Sequence, residues 1–145
     1  MNMRERTEIA ATVPESIWGS WKQRIEALGT IEVIHPASMG LVMMKAEESV
    51  AKEVFHVGEI LTTDATLTLD GVLGYGIVMG NHPDKAFTFA LLDALYHSTD
   101  KKWIITKQGI DAELMRQAEE QKQQKQRHYQ LIKRTMVNFE VMDAE

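Results

Sequence analysis

The chain has 145 residues, 44% hydrophobic and 26% charged. That is one domain's worth of sequence, with enough apolar content for a real core and too little charge for a disordered chain. It contains no cysteine, which excludes disulfides, thiolate metal sites and cysteine nucleophiles. The formal net charge of −5 is unevenly placed: residues 1–100 carry seven Lys/Arg against fourteen Asp/Glu, and residues 101–145 carry nine against seven.

The first residues, with Arg4, Glu5, Arg6 and Glu8, have no apolar run behind them and do not read as a signal peptide. No segment has the apolar length needed to span a bilayer, so a soluble, cytoplasmic protein is expected. Pro14-Glu15-Ser16 opens a predicted helix over 14–29, with Pro in its first turn and Ile17, Trp21 and Ile25 on one face. Two short strands are predicted next, Ile31–His35 and Leu41–Lys45. The Pro36–Gly40 link between them reads as a hairpin turn.

A further strand region spans Phe55 to Leu69, with Ala65, Leu67 and Leu69 alternating against Thr66 and Thr68. Asp70-Gly71 then marks a two-residue hairpin turn, because both central positions of a type I′ turn need positive φ. The strand that follows carries Gly74, Gly76 and Gly80. Glycines of a phosphate-binding loop follow a strand and open a helix. Here Leu73, Tyr75, Ile77 and Met79 alternate through them, which favours a strand with one nearly bare face. Such a face admits close approach by another backbone, from this chain or from a partner.

Pro83 begins a helix running to Ser98. It carries one stripe of Phe87, Ala90, Leu91, Ala94 and Leu95 and a second of Phe89, Leu92 and Tyr96. Two apolar stripes imply burial on more than one side and point to a covering subunit. From Asp111 the chain turns polar, and Glu119–His128 has no apolar residue. This segment reads as a solvated helical spacer leading to a terminal strand, Thr135–Met142, with Val137, Phe139 and Val141 on one side. That strand can return to its own sheet or pair with another chain's edge. Arg116–Arg134 holds six basic residues against two acidic, either a solvated face or a contact for an anion or acidic partner. The aromatic residues lie on the acidic half, so no nucleic-acid surface is predicted.

The expected fold is therefore α+β: an antiparallel β-sheet packed with helices, plus a polar C-terminal helix and terminal strand. It forms one domain over 1–145, with a helix at 14–29, a sheet-plus-helix core at 31–98 and the polar helix and strand at 111–142. Polar candidates are His56, Glu59, Thr63 and Asp64. Their types suit general-base work or structural hydrogen bonding, and no nucleophile–base pairing is visible among them. The five histidines show no close pair at ligand spacing, so no metal site is predicted.

Four segments, Pro36–Met44, Phe55–Thr63, Asp70–Gly80 and Ala90–Leu95, together resemble the PhnG family in order and approximate spacing. The resemblance is good over roughly residues 14–98 and weaker around Val137-Asn138-Phe139. Where family members usually carry Arg and Asp after the last strand glycine, this chain has Asn81-His82-Pro83-Asp84, and Lys85 stands as a substitute for an anion contact. The resemblance implies a small subunit of the carbon–phosphorus lyase core complex, partnered by PhnI, PhnH and PhnJ and working with PhnL. The implied reaction attaches a phosphonate to ribose C1 of ATP with release of adenine. ATP and Mg2+ are expected of the complex, and no cofactor of this subunit alone. Two alternatives stand beside this: a free-standing interaction module, and an enzyme in its own right using Glu59, Asp64 or His56. Close-packing or interface roles are expected for Gly74, Tyr75, Gly76, Gly80, Phe89, Leu92, Tyr96, Val137, Phe139 and Val141.

Overall fold

A computed structural model describes residues 1–136. In chain order it contains α1 (Met3–Ala11), α2 (Glu15–Leu28), β1 (Ile31–Glu47), β2 (Val54–Leu69), β3 (Val72–Met79), α3 (Pro83–His97), a short 3-10 turn (Lys101–Trp103) and α4 (Ile104–Thr135). The strands form one antiparallel sheet in the order β1-β2-β3, with helices on one face, as the α+β expectation requires.

The alternation predicted for the second strand sets the layering. Ala65, Leu67 and Leu69 point inward and are buried with Leu91 and Leu95 of α3, Trp21 and Ile25 of α2, and Ile110 and Leu114 of α4. The Asp70-Gly71 turn is as expected, with φ of 49° and 81° at its two central residues. Asp70 also ties the turn to the rest of the domain: its Oδ1 accepts from Thr30 N at 2.8 Å, and its other oxygen pairs with Lys102.

The first strand differs from the expected hairpin. Ile31–Glu47 is one continuous strand, and the Pro36–Gly40 segment lies within it. Its register against β2 slips between Val33 and His35 and again between His35 and Ser38, each time with an extra residue on β1. Bulges of this kind admit a proline on an edge strand without reversing the chain. A second difference is α1, which opens on a reciprocal cap: Glu5 N donates to Asn2 Oδ1 while Asn2 N donates to the Glu5 carboxylate. A third is the length of α4, which starts at Ile104 and runs through the polar segment to Thr135. Val137, Phe139 and Val141, predicted as a terminal strand, lie outside the described residues.

Contacts between named residues fix the relative directions of β3, α3, α1 and α4. Gly74 lies against Ala90 and Ala94 while Gly76 lies against Ala86 and Ala90, so β3 and α3 run antiparallel. Arg6 meets Tyr96, and Lys85 donates to Ala11 O, so α1 also opposes α3. Arg6 pairs with Asp111, and Thr12 accepts from Gln121, so α4 runs alongside α1. It follows that β3 and α4 point the same way. Beyond Met79, β1 and β2 continue alone as a two-stranded arm, Gly40–Glu47 paired with Val54–Thr62. Beyond Gln121, α4 continues without contact to the sheet, its residues almost all exposed. The arm and the end of α4 thus project from the same end of the domain.

Candidate functional site

The two faces of the sheet carry different chemistry because side chains alternate along each strand. On the outer face, β3 presents Leu73, Tyr75, Ile77 and Met79, opposite Thr68, Thr66, Asp64 and Thr62 of β2. On the arm, Val42 and Met44 carry the same face onward beyond Met79. None of these apolar residues is covered: Leu73 is 59% exposed, Ile77 45% and Met79 70%. Six such side chains, each about half exposed, present apolar area on the order of 500 Å², near the upper end of what a monomer leaves open.

The inner face shows why the outer one holds the large residues. A β-carbon at Gly74 would collide with Ala90 O and would stand 2.7 Å from Ala94 Cβ. One at Gly76 would collide with Ala86 O and Ala90 N. Both positions are filled by the backbone of α3, so the glycines hold no space for a phosphate, and the approaching group is this chain's own helix. Gly80, at φ 82°, turns β3 into α3. Buried Thr63 fixes that junction, donating to Gly80 O at 2.6 Å and accepting from His82 N at 3.1 Å.

The remaining polar candidates do not converge. His56 and Glu59 lie on the arm, opposite Lys45 and Met43. At about 3.3 Å per strand residue, His56 is roughly 26 Å from Asp64 along β2. Asp64 instead meets a partner that the sequence reading had not singled out. His35 Nε2 lies 2.8 Å from Ser38 Oγ and 3.9 Å from Asp64 Oδ2. Both contacts fall on one ring nitrogen, whereas a nucleophile–base–carboxylate relay needs opposite nitrogens. Lys85 donates to Ala11 O at 2.7 Å and lies over the Phe89 ring, capping α1 where an anion contact was expected.

The second stripe of α3 meets α1. Leu92 is buried and Phe89 partly so. Tyr96 carries the Arg6 guanidinium 3.5 Å above its ring centre and donates to Asp111 Oδ1 at 2.8 Å. Burial, then the neighbouring Asp111 carboxylate, pushes the Tyr96 phenol far above its usual range and keeps it a donor. Along β3's free edge, Asp93 accepts from Tyr75 N at 3.0 Å. Between them lies a cleft of about 360 Å³ lined by Arg6, Tyr75, Ile77, Phe89, Asp93 and Tyr96. The two stripes of α3 pointed to a covering subunit, whereas α1 and Asp111 of α4 cover much of the second stripe from within the chain. The Asn2–Glu5 capping pair, not singled out in the sequence, is the signal that would have shown α1. Among the described residues no helix is long and apolar enough to cross a membrane, and no three His, Asp or Glu side chains gather as metal ligands.

The fold and its exposed surface define a small α+β protein whose most developed surface feature is an apolar sheet face with an extended arm, not a cluster of reactive groups. The family model described as "Phosphonate metabolism protein PhnG" matches residues 2–143, nearly the whole chain, and the chain belongs to that family. Membership places it in phosphonate metabolism. No curated protein matches the sequence significantly.

Proposed function

We propose that this chain is a non-autonomous subunit of a carbon–phosphorus lyase core complex. In this reading it acts with PhnH, PhnI and PhnL in the transfer of a phosphonate to ribose C1 of ATP with release of adenine, and it shares the complex with PhnJ. The observation that carries the reading is the outer face of the sheet. Leu73, Tyr75, Ile77 and Met79, continued by Val42 and Met44, form an uncovered apolar surface near the upper end of what a monomer leaves open, a range in which such patches are often functional. The polar candidates His56, Glu59, Thr63, Asp64 and Lys85 are spread along β2 and α3 and do not meet one another. A subunit that contributes shape and contact area fits this arrangement better than one that contributes reacting groups.

ATP and Mg2+ belong to this proposal at the level of the complex. Among the described residues, the glycines that would cradle phosphates are packed against α3 and Lys85 is engaged with the end of α1, so neither feature fits a nucleotide. No step is therefore assigned to this chain's side chains.

The test is adenine release from ATP plus methylphosphonate. The purified chain alone should release none, and the mixture with the partner subunits should lose activity when this chain is omitted. Adenine release by the chain alone would overturn the reading.

A further inference from the structure

We propose that two copies of this chain exchange their projecting elements, the end of α4 from each copy lying along the β-arm of the other. This goes beyond the phosphonate reading and does not depend on it, since the outer sheet face remains free in such a pair.

The geometry comes first. The arm extends about eight residues beyond Met79 on β2, roughly 26 Å at 3.3 Å per residue. Beyond its contact with Thr12, α4 extends from Gln121 to Thr135, roughly 21 Å at 1.5 Å per residue. The two projections leave the same end of the domain and are nearly equal in length. Among the described residues of one copy they do not touch: Tyr129, Leu131 and Ile132 on α4 are exposed, and so are Leu41, Met43 and Leu61 on the face of the arm turned toward the helix layer. An isolated two-stranded ribbon with apolar side chains on both faces is marginal in water and needs cover.

The chemistry of the two projections is complementary. The arm from Gly40 to Leu61 carries Glu47, Glu48, Glu53 and Glu59 against Lys45 and Lys52, a formal −2. The end of α4 from Glu119 to Thr135 carries Lys122, Lys125, Arg127, Lys133 and Arg134 against Glu119 and Glu120, a formal +3. Each also offers apolar residues to the other. A two-fold axis at this end of the domain lets each α4 run into the gap behind the other copy's arm. The contact is then made twice and the assembly closes as a dimer. Opposite charges set the pairing and make it sensitive to salt.

The absence of native cysteine makes a direct test clean. One full-length variant carries Met43→Cys on the arm and another Ile132→Cys on α4. Mixed and oxidised, they should give a cross-linked dimer far faster than either variant alone. In parallel, sedimentation should show a wild-type dimer that weakens as salt rises. An arm variant (Glu47→Lys, Glu48→Lys, Glu53→Lys) and a helix variant (Lys125→Glu, Arg127→Glu, Lys133→Glu) should each lose it, with an apparent Kd raised at least about tenfold. An equimolar mixture of the two should recover the dimer, because both of its contacts again join opposite charges. Circular dichroism confirms that each variant is folded. A monomeric wild type, a dimer untouched by either charge reversal, or no preference for the arm–helix cross-link would each overturn the proposal.

Discussion

Gly74 of β3 lies so close to Ala90 O of α3 that no side chain fits between strand and helix. A methyl at Gly74 would also stand 2.7 Å from Ala94 Cβ, so the helix itself would have to move. Gly74→Ala should therefore destabilise the domain by on the order of 3 kcal/mol, the upper range for overpacking a core. Gly58→Ala on the arm, with nothing within 4 Å, should change the thermal midpoint little. Gly19→Ala, inside α2 and equally unobstructed, should stabilise by about 0.5–1 kcal/mol through helix propensity. Thermal melts of the three variants check the set.

Thr63 offers a second test of the same junction. Thr63→Val keeps the shape but removes the buried hydroxyl that joins Gly80 O and His82 N at a partly buried junction. A loss of about 1–3 kcal/mol is expected in denaturant unfolding. Adenine release by the assembled complex should fall only as far as stability does.

Asp70 predicts a pH dependence. The Lys102 ammonium, then the Thr30 N–H, hold its carboxyl below the usual carboxylate range in the folded protein. A group depressed on folding stabilises above its unfolded value, about 4, and that stabilisation is lost as pH falls through the folded value. Asn tolerates positive φ as Asp does, so Asp70→Asn removes the charge while sparing the turn. The variant should be less stable than wild type at neutral pH, and the gap should close as acid is added. An unchanged gap across that titration would contradict the account.

Tyr96 works in the other direction. Its phenol is raised on folding, so stability present at neutral pH should decline as pH climbs above about 10, where the unfolded phenol ionises. Tyr96→Phe should cost about 0.5–1.5 kcal/mol at neutral pH for the lost hydrogen bond to Asp111. It should also remove part of the alkaline decline seen in wild-type melts.

What could be read in advance follows the range of the forces involved. The Asp70-Gly71 turn, the alternation of Ala65, Leu67 and Leu69, and the start of α3 at Pro83 are local, and the sequence shows them directly. The inward glycines were legible as a bare strip, but only the packed helix shows whose backbone fills it. The bulges of β1 were hidden because register is a property of two strands; Pro36 and Gly40 read locally as a turn. The His35–Asp64 approach depends on the same pairing across nearly thirty residues. The scatter of His56, Glu59 and Asp64 was already implied by reading Phe55–Leu69 as one strand region, and the unbroken β2 agrees with it. The short α1 carried its signal in Asn2 and Glu5, yet its role as cover for Tyr96 is a tertiary fact.

The central claim, that this chain acts through the outer face of its sheet, is tested most directly by co-purification with the other subunits of the complex. The measurement compares wild type with Tyr75→Asp/Ile77→Asp, two exposed positions where charge should leave the fold intact. The account predicts that the double variant melts like wild type but no longer co-purifies, while His56→Ala, Glu59→Gln and Asp64→Asn assemble normally and support adenine release. A double variant that assembles at wild-type level, or a single polar substitution that abolishes adenine release in an intact complex, would contradict it.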